Sequence, residues 1–224
     1  SGNHIWDQRE LIPLLDGEVP ILRPANYPSA SPGRGVFRIG KVAVVNLQGR
    51  VFMPEGLDSP FETAERILGE LREDAPDVIL VDMHAETTSE KAALAWYLDG
   101  RVTAVVGTHT HVPTADGRLL PNGTAFVSDL GMTGPHDSII GVAIQPVLKR
   151  FIDGMPVRFE TASKNSRINA VIVTADVGSH SGQAGKRMVS QRPGKAKKRI
   201  PLSFSGFFSS PYGRKGREQH GGMQ

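Results

Sequence analysis

The chain has 224 residues, 39% hydrophobic and 22% charged, with no cysteine and a formal net charge of +3. This composition is ordinary for a globular domain and excludes the fibrous and wholly disordered classes. Without cysteine there are no disulfides, thiolate nucleophiles or cysteine-ligated metals, so a metal site must use His, Asp, Glu or Asn. No apolar run reaches the roughly 18 residues that a membrane span requires, and no signal peptide is recognisable, so we expect a cytoplasmic protein without a membrane partner.

Positive charge is concentrated in the last part of the chain. Residues 186–224 contain ten of the 26 Lys and Arg and one acid, Glu218, which gives them a formal charge of +9 and the preceding residues −6. A mildly acidic body with a basic appendage argues against a nucleic-acid-binding domain whose whole surface is positive.

The first half of the chain alternates predicted helices and strands. Apolar spacing predicts a short helix over 7–15, the proline-rich stretch 18–37 predicts a loop, and a β-branched run predicts a buried strand over 41–47.

The strongest local signal is a helix over 59–74. Ser59 is the predicted N-cap, Pro60 takes the first helical position and Glu62 completes a capping box.

Two all-apolar runs, 77–83 and 102–106, then predict central strands buried on both faces, with a helix over 88–98 between them. Alternation of strands and helices is typical of an α/β sheet with mainly parallel strands.

The second half predicts a hairpin, a helix and a closing strand pair. Asn122-Gly123 is a two-residue hairpin turn. A helix over 139–152 contains Pro146, which implies a kink or a later start. Residues 156–162 and 167–175 are predicted to form an antiparallel pair.

Four of the seven histidines lie in three short stretches: Gly2-Asn3-His4, Asp82-Met83-His84-Ala85-Glu86 and Gly107-Thr108-His109-Thr110-His111. The last two stretches follow the predicted strands 77–83 and 102–106, and parallel strands deliver such residues to one edge of the sheet. In an extended segment, residues i and i+2 point to one side about 6.5 Å apart, so the H-x-H pair can serve one metal jointly or two metals separately. Each histidine alone is also consistent with a hydrogen-bonded surface residue, but the combination favours metal ligation by His and Asn, which suits Mn, Fe, Zn or Ni.

These motifs resemble those of the calcineurin-like metallophosphoesterases, in the same order. The resemblance extends to Trp6-Asp7, to 23–28 (Arg-Pro-Ala-Asn-Tyr-Pro), to 83–91 and to Asp129-x-Gly131-Met132-Thr133-Gly134-Pro135. As a set, the motifs are similar to the bacterial branch of 2′,3′-cyclic-nucleotide 2′-phosphodiesterases. The resemblance covers about 1–177, so we expect a metallophosphoesterase-type layered α/β sandwich over 1–177 and a basic, disordered tail over 178–224. Binding of nucleic acid by the tail is the less favoured alternative.

The resemblance implies two divalent metal ions, which would be Fe, Mn, Zn or Mg. Asn3, His84 and His109 would ligate one metal and His111 the other, while His4 would act beside the scissile phosphate as general acid or as charge stabiliser for the leaving oxygen. The implied activity is hydrolysis of cyclic nucleotides or related small-molecule phosphodiesters by a dimetal-bound hydroxide. For Asp82 and Glu86 we expect either a hydrogen bond to a ligand imidazole or simple solvation.

Two expectations complete the sequence interpretation. The family also has Gly-Asp and Gly-Glu-Asn motifs that supply carboxylate ligands, and their positions would precede Ser1. The chain is therefore expected to be a fragment without its N-terminal part, with weak metal binding and little turnover; robust hydrolysis of a chromogenic phosphodiester with Mn²⁺ would contradict this. The alternative function is a noncatalytic nucleotide- or nucleic-acid-binding protein on a decayed scaffold. A homo-oligomer stays open.

Overall fold

The computed structural model describes residues 2–53 and 56–175, and the backbone of two short strands at 187–189 and 203–204. The N-terminal residues form a short 3₁₀ helix, Gly2–His4, and a second one, Arg9–Leu11, that continues into α1, Ile12–Leu15. The helix predicted over 7–15 is therefore present in a shorter form.

A six-stranded sheet forms the centre of the fold. Its strands are β1 (Val36–Ile39), β2 (Val42–Gln48), β3 (Val78–His84), β4 (Ala104–Thr108), β5 (Arg118–Leu119) and β6 (Ala125–Val127). Their order is β1-β2-β3-β4-β6-β5, in which β2, β3, β4 and β6 run parallel and the edge strands β1 and β5 run antiparallel. The predicted parallel α/β sheet is confirmed. The predicted hairpin is present between β5 and β6, but its connection, 120–124, is longer than the two residues expected, and the Gly123 N–H donates to the Leu120 carbonyl at 2.9 Å inside it.

Helices cover one face of this sheet. They are α2 (Pro60–Glu70) and α3 (Thr88–Tyr97), and between helices and sheet lies the main core, which includes Leu47, Ile67, Met83, Leu94, Val105 and Phe126. Ser59 caps α2 as predicted, since its hydroxyl oxygen accepts a hydrogen bond from the Glu62 N–H at 3.4 Å.

The opposite face packs against a second, smaller sheet. Its central strand is β9 (Val171–Thr174), flanked by β10 (Arg187–Val189) and β11 (Ser203–Phe204) in antiparallel pairing. Val173 of β9 contacts the side chains of Val78 and Leu80, which alternate with the core-facing residues of β3. The molecule is thus a layered α/β sandwich, as expected.

The predicted antiparallel pair of 156–162 with 167–175 is wrong. Residues 156–162 form no strand and are joined to the main chain of Gly141 and Ala143, through Ala162 N to Gly141 O and Ala143 N to Glu160 O. The 167–175 segment pairs elsewhere, because β8 (Ser166–Arg167) joins β7 (Gly134–Pro135) and β9 joins the second sheet. Alternation predicts strands but does not identify their partners.

The helix predicted over 139–152 begins late, as α4 (Ile144–Asp153), which places Pro146 in the first turn, where it disrupts no helical hydrogen bond. Apart from β10 and β11, the predicted basic tail lies outside the described residues. Among the helices of the described residues, none is long and apolar enough to cross a membrane.

The Ser59 cap gives a test of the helix that supports the core. Replacing Ser59 with Ala is expected to lower the free energy of unfolding by about 1 kcal/mol, because the Glu62 N–H loses its acceptor. Ser59→Asp retains an acceptor and should stay near the wild-type value. Urea unfolding measures the free energy of unfolding of both variants. Equal losses in the two would show that a hydrogen-bond acceptor at residue 59 contributes nothing to stability.

Candidate functional site

His84 lies at the carboxyl edge of the parallel sheet. It is the last residue of β3, one residue inside the strand rather than after it as predicted, and it is buried. The register places it between Gln48 of β2 and Thr108 of β4. The edge of three adjacent strands therefore surrounds its imidazole.

Hydrogen bonds beneath the ring favour one tautomer of His84. The partly buried Asp82 carboxylate accepts from the Thr108 hydroxyl at 2.7 Å and from the Asn46 amide at 2.8 Å. Burial raises the pKa of Asp82, and these two hydrogen bonds oppose that rise. When the Thr108 hydroxyl donates to Asp82, its oxygen accepts from Nδ1–H of His84, 3.1 Å away. This tautomer places the lone pair of His84 on Nε2, whereas the opposite tautomer donates Nε2–H to Oδ1 of Asn3.

The same argument applies to His109, the first residue after β4. Its Nε2 lies 3.1 Å from Oε2 of Glu86, and a carboxylate can only accept, so Nε2 bears the proton and Nδ1 the lone pair. Nδ1 faces Nε2 of His84 at 3.1 Å. Of the two roles expected for Glu86, the hydrogen bond to an imidazole is therefore the one observed.

Burial favours the neutral form of both imidazoles. It lowers the pKa of His84 well below its ordinary value, and protonation of His109 would lower it further. Burial also lowers the pKa of His109, although Glu86 partly opposes the change. Neutral imidazole is the form that ligates a metal.

Asn3 brings a third donor to this point. Its Oδ1 lies 2.8 Å from Nε2 of His84. The backbone approaches the ring closely here because residue 2 is glycine, with φ +75°, and a Cβ at this position would overlap the imidazole of His84.

The three donor atoms fit a divalent cation. When Nδ1 of His84 carries the proton, Oδ1 of Asn3, Nε2 of His84 and Nδ1 of His109 all present lone pairs, and the successive separations are 2.8 and 3.1 Å. A cation bound between these atoms takes the place of the proton that Nε2 of His84 otherwise donates to Oδ1 of Asn3. With metal–ligand bonds of about 2.1 Å, two ligands at right angles stand about 3 Å apart, which matches these separations.

The segment that carries the H-x-H pair is not extended, contrary to our expectation. His109 has φ 108° and His111 has φ 68°, so the chain bends sharply once β4 has ended. Nδ1 of His111 donates to the Ile140 carbonyl at 2.8 Å, which leaves the lone pair on Nε2. His111 stands apart from the three donors, but close enough for its charge to contribute to the lowered pKa of His109.

His4 directly follows Asn3 and is 40% exposed. Its Nδ1 donates to Oδ2 of Asp7 at 2.8 Å, which orients the ring. A positive charge on His4 would lower the pKa of His84 and His109. Sequence reasoning assigned no role to Asp7 or Thr108.

The structure thus joins Asn3, His84 and His109 directly and places His4 and His111 around them. Within residues 2–53 and 56–175, no group of three or more His, Asp or Glu side chains is placed to hold a metal; the third donor beside the two imidazoles is an amide oxygen.

A family model described as "YmdB-like protein" matches residues 1–188. The chain belongs to the YmdB-like family. The resemblance recognised from the motifs is thereby confirmed, and the match runs to residue 188, beyond the range 1–177 expected for it.

Curated relatives of this YmdB-like chain carry phosphoesterase names. It is 48% identical over 179 residues to a 2′,3′-cyclic-nucleotide 2′-phosphodiesterase of Bacillus subtilis, covering 78% of this chain and 67% of the relative. It is 36% identical over 180 residues to a putative phosphatase/phosphodiesterase of Mycoplasma genitalium, covering 76% of this chain and 63% of the relative. The chain therefore spans about two thirds of the length of these relatives.

Solved structures agree with the fold of the YmdB-like chain. A hypothetical protein from Thermus thermophilus superposes with a TM-score of 0.75 at 40% identity, covering 91% of this chain and 74% of that one. A structure titled a novel phosphatase, of Mycoplasma pneumoniae, gives a TM-score of 0.70 at 32% identity, covering 84% and 69%.

The contact between Gly2 and His84 can be tested by adding a methyl group. Gly2→Ala is expected to displace the imidazole of His84, because the new Cβ would occupy the same space as the ring. The displacement should appear as a change in the ring ¹⁵N and ¹H shifts of His84 by NMR. Gly123→Ala is the control, since its φ of +93° imposes a similar backbone strain but nothing lies within 4 Å of the added Cβ. Unchanged His84 signals in Gly2→Ala would disprove the close approach.

Proposed function

We propose that this protein is a metal-dependent phosphodiesterase that hydrolyses cyclic nucleotides, with 2′,3′-cyclic nucleotides as the preferred class. Asn3, His84 and His109 would hold one divalent cation, and His111 would contribute to a second. Fe, Mn, Zn and Mg are all candidates for these ions.

The observation that carries the proposal is the convergence of three side-chain nitrogen and oxygen atoms at the edge of the sheet. Asn3 Oδ1, His84 Nε2 and His109 Nδ1 are neutral donors, so a bound cation keeps its full positive charge for an anionic substrate. His111 Nε2 adds a fourth neutral donor. A site of this charge suits a phosphodiester better than a neutral ligand.

When two divalent cations are bound, they supply Lewis acidity toward the phosphoryl oxygens and toward water. The chain's own residues provide the remaining functions. Glu86 and Thr108 keep the rings of His109 and His84 in the ligating tautomer. His4 transfers the proton on Nε2 to the leaving oxygen as the P–O bond breaks, while Asp7 holds the other nitrogen.

The names of the relatives support a phosphoester substrate. The Bacillus subtilis relative is named for 2′,3′-cyclic nucleotides, and the Mycoplasma genitalium relative for a phosphatase or phosphodiesterase activity. The retention of His4 and Asp7 next to the three converging donors favours catalysis over the alternative of a noncatalytic nucleotide-binding protein, because binding alone requires no proton donor.

Removal of one donor tests the metal site. His109→Ala should weaken Mn²⁺ binding more than tenfold, because the loss of even an outer-shell partner costs about 10–100-fold. Isothermal titration calorimetry on the 224-residue chain provides the measurement. His136→Ala is the matched control, since that imidazole contacts Asn169 and belongs to no donor group described above. Equal affinity in wild type and His109→Ala would refute the site.

Replacement of His4 separates catalysis from binding. His4→Ala should reduce hydrolysis of 2′,3′-cyclic AMP about 10²–10⁴-fold, the usual contribution of a general acid, with little change in Mn²⁺ affinity. Turnover is measured with Mn²⁺ on the 224 residues and on the whole open reading frame that encodes them. If both proteins bind Mn²⁺ and neither hydrolyses 2′,3′-cyclic AMP, the enzyme proposal is wrong and the noncatalytic alternative replaces it.

A further inference from the structure

We propose that Lys91 and Asp129 are positioning residues, which act through Thr110 to aim the imidazoles of His109 and His111. The inference rests on the proposed function, since the direction of these two rings matters for catalysis only if they ligate metal.

Lys91 and Asp129 form an ion pair inside the molecule. Lys91 Nζ lies 2.8 Å from Oδ2 of Asp129, and both side chains are only 2% exposed. Lys91 comes from the first turns of α3, and Asp129 follows the end of β6. Burial of two charges gains little net stability, and apolar replacements of similar volume are often as stable. A reason other than stability therefore has to account for this pair.

The Asp129 carboxylate binds Thr110, the residue between His109 and His111. Its Oδ2 accepts from the backbone N–H of Thr110 at 3.0 Å and from the Thr110 hydroxyl at 2.8 Å, in addition to Lys91. Its Oδ1 accepts from the N–H of Gly131 at 2.8 Å. The carboxylate thus joins α3, the bend after β4 and the segment after β6.

The bend after β4 requires such hydrogen bonds because its backbone is strained. Both His109 and His111 have positive φ, at 108° and 68°. For residues other than glycine, such a conformation is unfavourable and persists only when surrounding contacts enforce it. The two hydrogen bonds from Thr110 to Asp129 hold the middle of the strained segment, and the His111 carbonyl accepts from the N–H of Met132 at 3.1 Å.

Gly107 leaves room for this arrangement. A Cβ at residue 107 would lie 2.8 Å from Cδ of Lys91 and would overlap the Ser128 carbonyl. The Lys91 side chain can therefore run along β4 to reach Asp129 only because residue 107 has no side chain. Lys91 in α3, Gly107 in β4 and Asp129 after β6 therefore all contribute to one buried ion pair.

The test compares variants in which Thr110 loses hydrogen bonds to Asp129 with a control variant that only lowers the stability of the protein. Thr110→Val removes the hydroxyl donor at nearly constant volume, and Thr110→Ser restores it. The double variant Lys91→Met with Asp129→Leu replaces the ion pair by an apolar pair, so that the chain folds while Thr110 loses its acceptor. Thr124→Val is the matched control, since that buried hydroxyl, which donates to the Val102 carbonyl at 2.8 Å, lies at the opposite end of β6.

Two measurements decide the result. In the metal-free protein, Thr110→Val and the double variant should change the ring ¹⁵N and ¹H shifts of His109 and His111, and calorimetry should show Mn²⁺ bound about tenfold more weakly or worse. Thr110→Ser should match wild type in both measurements. Thr124→Val should lose thermal stability only.

Wild-type ring signals in Thr110→Val and in the double variant would overturn the inference, whatever their stability. If wild type itself binds no Mn²⁺, the proposed function fails, but the ring signals of the metal-free protein still decide whether Lys91 and Asp129 position the histidines.

Discussion

The in-register parallel pairing of β2, β3 and β4 is the constraint on which the site depends. It aligns Gln48, His84 and Thr108 at one edge and places Asn46 of β2 opposite Asp82 of β3. A slip of one residue in any strand would turn every side chain of that strand to the other face. Burial of alternate residues against the helices on one side and β9 on the other prevents such a slip.

Polar contacts between the aligned strands then orient the imidazole of His84. Asn46 and Thr108 both donate to Asp82, and Thr108 in turn accepts from His84. Glu86, which lies outside the sheet, accepts in the same way from Nε2 of His109. Each contact satisfies a polar group and also favours one ring tautomer, so the network under the site both stabilises the sheet edge and orients the imidazoles.

Backbone strain at the site is found in the segment that leaves the sheet after β4. An extended chain would project the imidazoles of His109 and His111 about 6.5 Å apart along one line. The bend with two positive φ values redirects them instead, with Asp129 bonded to its middle residue. Conformations of this kind are concentrated at functional sites, where packing maintains them.

The amino-acid sequence alone determined the order of the elements, the cap of α2, the hairpin at Asn122-Gly123 and the identity of the donor residues. These follow from patterns a few residues long, in which the periodicity of apolar side chains and the conformational preferences of Ser, Pro and Gly act locally. The ordered histidine motifs were specific enough to indicate the family.

Only the tertiary structure decided which atoms of these residues meet. The contacts of His84 with Thr108, the bend at the H-x-H pair and the pairing of Lys91 with Asp129 all depend on groups 19 to 38 positions apart. The failed prediction for 156–162 has the same cause, because alternation shows that a segment can pair but not with which neighbour. Such contacts are selected by packing of the whole chain, and no short window of sequence contains both partners.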